Sequence, residues 1–133
     1  GADLVTMGGQ EAHSTQAQHF FWQDGRKVFR FAVNILEDLI PKAMARAGIA
    51  KGDRYHIIPH QANLRMVEHV AKELEIPMEH FVSNIQTRGN TSSASIGIAL
   101  AEAEAEQRFQ PGDKLLLVGF GGGLTWAAMA LAW

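Results

Sequence analysis

His60-Gln61-Ala62-Asn63-Leu64-Arg65, with Tyr55-His56-Ile57-Ile58-Pro59 directly ahead of it, is the stretch that decides how this chain is read. Residues 55–59 have the length and apolarity of a short buried strand, and residues 62–74 carry the three- and four-residue spacing of a helix. A histidine at such a junction stands outside the carboxyl end of a strand, where open α/β sheets place their ligands. His60 is therefore a site candidate from position alone. The competing reading is a junction imidazole that merely bonds its own loop.

Ahead of that stretch, from Arg26, the apolar residues Phe29, Ala32, Val33, Leu36, Leu39, Ile40, Ala43, Met44 and Ala47 recur at helical steps, which predicts one long helix with a single buried face. Gly48 is its natural left-handed stop. Pro41 removes a backbone donor and crowds the preceding turn, at about 3 kcal/mol in a straight helix interior, and so predicts a kink or break near residues 37–41. Behind His60, the residues Leu64, Val67, Val70, Ala71 and Leu74 face inward, Arg65, His69 and Lys72 share the other side, and Pro77 closes the segment.

Residues 82–85 read as a short strand leading to Arg88-Gly89-Asn90-Thr91-Ser92-Ser93-Ala94-Ser95, whose Asn, Thr and Ser are capping types for a further helix reaching about Gln107. The first half of that helix is small and apolar, suited to close packing on every side, and its second half is charged. Lys114-Leu115-Leu116-Leu117-Val118-Gly119-Phe120 is a continuous apolar run, as in a central strand covered on both faces. A second run follows after Gly121-Gly122-Gly123, a triplet that suits either a tight hairpin or a cluster of unshielded backbone N–H groups. The order helix, strand, helix, short strand, helix, strand, strand is α/β layering with an antiparallel pair at the end.

Composition narrows the function classes. With 133 residues, 47% hydrophobic and 20% charged, the chain has the make-up of one globular domain with a real core. A net charge of −2 provides no global basic field, so neither nucleic acid nor a membrane surface is an expected partner, and no transmembrane run or secretory leader is visible. A cytoplasmic location is the expectation. The chain has no cysteine, which excludes disulfides, thiolate metal sites and a cysteine nucleophile of its own. His13 and His19, in the polar stretch 10–24 that reads as loop or edge strand, have no acidic partner at ligand spacing, so no metal site is expected. The short apolar run Leu4-Val5-Thr6-Met7 at the start suggests the interior of a longer protein.

Three segments taken together, Pro59-His60-Gln61-Ala62-Asn63-Leu64-Arg65, Gly89-Asn90-Thr91-Ser92-Ser93-Ala94-Ser95 and Gly119-Phe120-Gly121-Gly122-Gly123-Leu124-Thr125-Trp126, closely resemble the C-terminal half of the β-ketoacyl-acyl carrier protein synthase III family of thiolase-fold condensing enzymes. The resemblance runs from about Asp24 to Trp133. It implies a thiolase-like α/β fold, here its C-terminal half, with layered helices on a mixed five-stranded sheet ending in an antiparallel pair. It also implies a Cys-His-Asn site whose cysteine lies in the N-terminal half, with His60 and Asn90 as the other two members.

By the same resemblance Phe120 lines the acyl channel and the N–H of Gly122 belongs to the oxyanion hole. Gly25, Ala62 and Asn63 lie near the pantetheine arm of coenzyme A, and Arg30, Arg65 and Lys72 dock the acyl carrier protein. The implied activity is the decarboxylative condensation of an acyl-CoA with malonyl-acyl carrier protein that begins fatty acid synthesis. The implied partners are those two substrates, the carrier protein, the N-terminal half and a second copy in a homodimer; no cofactor is implied beyond the coenzyme A thioester used as substrate.

The chemistry fits the residue types. A cysteine thiolate takes the acyl group as a thioester, and loss of carbon dioxide from malonyl thioester then puts negative charge on a thioester oxygen. A neutral imidazole N–H and a carboxamide N–H can both donate to that oxygen without being consumed as bases. Two other readings stay open at this level: a related thiolase-fold enzyme joining or transferring other acyl groups, and a non-catalytic chain that binds coenzyme A or a carrier protein. Glu68, within helical reach of Arg65 and Lys72, and Glu73 set a plain solvated face against the docking role.

Overall fold

The computed structural model describes residues 5–7, 21–50 and 52–133. His13, His19 and most of the stretch 10–24 lie outside the described residues. Two short strands, β1 (Val5–Met7) and β2 (Phe21–Gln23), pair antiparallel. Helix α1 (Gly25–Arg46) follows, then β3 (Tyr55–Pro59), α2 (Leu64–Glu73), the short α3 (Ile85–Arg88), α4 (Ser95–Ala105), β4 (Lys114–Gly121) and β5 (Thr125–Ala132). The main sheet has the order β3-β4-β5, with β3 parallel to β4 and β5 antiparallel to it.

Alternation along the strands sends side chains into two cores. Tyr55, Ile57, Leu116 and Val118 join Ala32, Val33, Leu36 and Ile40 of α1 and Met66, Val67, Val70 and Ala71 of α2. Ile58 and Leu115 point the other way, against Ala99 and Ala103 of α4. The uninterrupted apolar run in β4 is thereby explained: both faces of the strand are covered.

Local chemistry sets the helix ends. Asp24 caps α1 by accepting the Lys27 N–H at 3.1 Å, and Asn63 caps α2 by accepting the Arg65 N–H at 3.0 Å, so α2 begins at Leu64 rather than at Ala62. Beyond α1, the N–H of Ile49 returns to the Met44 carbonyl at 2.9 Å and that of Gly48 to Ala45 at 3.2 Å, a Schellman stop with Gly48 at φ +61.

Four expectations need correction. The five-stranded mixed sheet is, among the described residues, a three-stranded one, with β1 and β2 forming a separate pair. Residues 82–85 are not a strand: Phe81 makes a single parallel bridge to Ile57, and Gln61 then takes the backbone groups a neighbouring strand would have used. Pro41 does not break α1, which runs through it to Arg46. Pro41 is exposed, so water can take up the carbonyl it leaves without a donor, while Ile40, Ala43, Met44 and Ala47 keep the opposite face packed. Finally, α4 is not packed on every side. Ser95, Ala99 and Ala103 form one buried stripe, Gly97 and Ala101 are exposed, and no side chain caps its start.

At the end of the sheet away from the cavity, Asp113 ties the start of β4 to β3. Its buried carboxylate accepts from Arg54 Nε at 2.8 Å and from the Gln110 N–H at 2.9 Å, and it lies 3.2 Å from His56 Nε2. The Arg54 guanidinium, with the smaller contributions of Gln110 and His56, outweighs burial and holds the carboxyl at about 2, below its ordinary 3.8. A depressed carboxylate contributes stability above its unfolded value, and this is lost as pH falls from 3.8 through about 2. Burial also keeps His56 neutral below its ordinary 6.5, which removes stability as pH falls from there. Asp113→Asn is expected to lower stability at neutral pH by about 1–3 kcal/mol and to flatten the most acidic limb of the melting profile; an unchanged acid limb would remove Asp113 from this role.

Candidate active site

The carboxyl ends of β3 and β4 open into a cavity of about 590 Å³. The parallel ladder continues one residue past β3, through the His60 N–H to the Val118 carbonyl at 2.8 Å, and this delivers His60 to the cavity wall. Its ring meets Phe120 edge to face, with centroids 5.1 Å apart. Its Nδ1 lies 2.6 Å from Ser95 Oγ. Burial alone lowers the pKa of His60, so the imidazole is neutral at physiological pH.

Asn90 enters from the loop between α3 and α4. Gly89, at φ +67 and ψ −161, takes a conformation open only to glycine and turns the chain so that Asn90 lines the cavity. The Asn90 side-chain oxygen accepts the Ser92 N–H at 2.9 Å, which fixes the orientation of the carboxamide and leaves its NH₂ as the available donor. The 121–123 triplet closes the β4–β5 hairpin and also lines the cavity at Gly121 and Gly122; Gly123 is left-handed at φ +74, and the Gly122 carbonyl accepts the Thr125 hydroxyl at 3.2 Å.

The cavity brings together His60, Asn90, Phe120, Gly122, Gly25, Ala62 and Asn63. Asn63 has already committed its side-chain oxygen to capping α2. Arg30, Arg65 and Lys72 lie elsewhere, exposed on α1 and α2, and among the described residues none of them makes an ion pair, with Glu68 or otherwise. Also among the described residues, no group of three His, Asp or Glu could hold a metal ion.

Two site residues had no role in the sequence reading. Gln61, only 1% exposed, donates to the Pro59 and Val82 carbonyls at 2.7 and 3.1 Å and accepts from Ser83 Oγ at 3.0 Å and the Asn84 N–H at 3.2 Å. A glutamine immediately after the junction histidine was the available signal. Ser95 carried none, because a serine at a helix start reads as a cap. Ser95 is also only 1% exposed although it borders the cavity, and its hydroxyl is held between His60 Nδ1 and the Gln61 N–H.

The fold and cavity together define a thiolase-like half: a layered α/β unit that sets a neutral imidazole, a carboxamide and a glycine turn around one cavity, in a chain without cysteine. Comparison with known proteins agrees. Residues 44–133 match the family model of the 3-oxoacyl-[acyl-carrier-protein] synthase III C terminal, and the chain belongs to that family.

Among its relatives, a β-ketoacyl-[acyl-carrier-protein] synthase III 2 of Deinococcus radiodurans is 51% identical over 111 residues, 84% of this chain and 33% of the relative. A β-ketoacyl-[acyl-carrier-protein] synthase III of Paracoccus denitrificans is 44% identical over 131 residues, 98% of this chain and 40% of the relative. The crystal structure of the synthase III of Thermus thermophilus superposes with a TM-score of 0.87 at 37% identity, covering 99% of this chain and 42% of that one. The chain thus spans between a third and about two fifths of the length of these relatives.

Proposed function

We propose that this chain is the part of a β-ketoacyl-acyl carrier protein synthase III that carries the enolate-stabilising donors, acting with a nucleophile-bearing half that corresponds to the portion of its relatives it does not cover. The observation that carries the reading is that His60, neutral, and Asn90, with its NH₂ uncommitted, line one cavity in a chain whose relatives bear the synthase name. The cysteine thiolate of the other half attacks an acyl-CoA, expels coenzyme A and keeps the acyl group as a thioester. Malonyl-acyl carrier protein then loses carbon dioxide, and the electron pair of the broken bond becomes an enolate held by His60 Nε2–H and the Asn90 NH₂. The enolate carbon attacks the acyl carbonyl, the backbone around Gly122 stabilises the resulting oxyanion, and collapse expels the thiolate.

Phe120, beside the histidine, forms the apolar wall along the acyl group, and Gly25, Ala62 and Asn63 line the approach for the pantetheine arm. The functional test is reconstitution: this chain, joined to or mixed with a cysteine-bearing half, should yield the β-ketoacyl product and carbon dioxide from acyl-CoA and malonyl-acyl carrier protein. Release of coenzyme A with no condensation product would refute the assignment.

Arg30 and Arg65, exposed and unpaired among the described residues, act as the carrier-protein docking charges in this reading, with Lys72 one face-repeat further along α2. Charge reversal at Arg65 or Arg30 is expected to slow turnover of the carrier-protein substrate by about three- to tenfold and weaken its salt dependence, while free coenzyme A thioesters react as before. Lys72 should matter less, because Glu68 and Glu73 offset its field. Equal losses with both kinds of substrate would place these residues in coenzyme binding or in the fold.

A further inference from the structure

We propose that Ser95 is a positioning residue that sets the tautomer of His60, its hydroxyl donating to Nδ1 so that the ring presents Nε2–H to the cavity. The inference rests on the functional reading above only for its kinetic consequence; the tautomer itself follows from the hydrogen bonds.

Ser95 opens α4 at the head of that helix's buried stripe. Its Oγ has two neighbours among the described residues: the Gln61 N–H, which donates to it at 3.3 Å, and His60 Nδ1 at 2.6 Å. A hydroxyl carries one proton and two lone pairs. The Gln61 N–H occupies a lone pair and can only donate, so His60 Nδ1 is the one acceptor at hand for the serine proton. If Nδ1 carried the hydrogen instead, the buried hydroxyl proton would have no partner among the described residues, an arrangement that folded proteins avoid. The Ser95 proton therefore goes to Nδ1, and the imidazole hydrogen goes to Nε2.

Gln61 strengthens the arrangement from the other side. Its side chain locks the end of β3 to residues 82–84, and its backbone N–H holds the serine oxygen. Burial lowers the pKa of His60 and keeps the ring neutral, so that one of its two nitrogens is free to accept. In functional terms, an enolate donor must carry its hydrogen on the nitrogen that faces the substrate, and an unconstrained imidazole divides its population between two tautomers. Ser95 removes that division by acting on the ring's other nitrogen.

The direct test is made on the unaltered chain. Nitrogen NMR of protein with 15N-labelled histidine should show His60 Nδ1 with the shift of an acceptor nitrogen and Nε2 with that of a protonated one. A protonated Nδ1, or an even mixture, overturns the proposal whatever the activity.

The second test uses the reconstituted enzyme. Ser95→Ala should mix the tautomers and slow decarboxylation about tenfold, less than outright loss of a donor, with cysteine acylation unchanged; Ser95→Thr, which keeps the hydroxyl, should recover part of the loss and the original nitrogen shifts. If Ser95→Ala leaves both shifts and rate unchanged, the proposal is wrong. If the shifts change as expected but His60→Ala still condenses normally, the tautomer assignment stands and the functional reading falls.

Discussion

His60→Ala and Asn90→Ala, each tested in the reconstituted enzyme, are expected to lower malonyl decarboxylation and condensation by about 10²–10³-fold while leaving transfer of the acyl group to cysteine near its original rate. The separation follows from the geometry. His60 is neutral because of burial, and Asn90 holds its carboxamide NH₂ free because its oxygen is tied to the Ser92 N–H at 2.9 Å. Both are donors, and a donor serves the step in which an oxygen becomes negative next to them. In the proposed function, acylation develops its charge at the thioester attacked by cysteine, away from these two donors. Coenzyme A released in the first turnover measures acylation, and carbon dioxide measures the second step. Equal losses in both would mean that His60 acts as the base for the cysteine rather than as an enolate donor.

The second large effect concerns the chain alone, which is expected to show no condensation and to associate in solution. It has no cysteine, and the one serine hydroxyl bonded to His60 is buried. β5 explains the association. Among the described residues it is one of the two edge strands of the main sheet, and most of its residues are exposed although the strand is apolar almost throughout. Trp126 is 51% exposed and Met129 57%, values suited to a covered strand rather than to a free edge. Light scattering or sedimentation at micromolar concentration should give a mass above that of one chain, and adding the nucleophile-bearing half should bring activity up from background. A monomer that condenses acyl and malonyl thioesters unaided would overturn both statements.

The strand, histidine and helix around residues 55–74 were legible in the sequence because hydrophobic period and junction position are local properties. Residues 82–85 were not. Val82 and Ile85 suit the ends of a short strand, but pairing is decided by what lies alongside, and there Gln61 supplies side-chain partners to the backbone in place of a ladder. Pro41 does not end α1 for a similar reason, since its penalty depends on whether the affected carbonyl faces solvent and on how well the rest of the helix is packed. In the site, His60 was a candidate from its junction position, whereas Asn90 and the glycine turn were singled out by the three-segment resemblance, since by themselves they read as a cap and a hairpin; all of them line the one cavity. The Ser95 contact could not, since it joins residues 35 apart and a serine at a helix start already has an ordinary explanation.

His60 stands at a seam. One side of its ring meets Phe120, whose side chain belongs to the core beneath α1 and α2, and its Nδ1 meets Ser95, which heads the buried stripe of α4 in the other core. No covalent bond links those layers at that point; the imidazole bridges them. Warming or solvent stress that lets one layer slip against the other would therefore reach the ring before any helix unwinds, and catalytic competence would fade while circular dichroism still reported a folded chain. The same bridge makes the His60 resonance a sentinel for the alignment of the two layers, readable without substrate.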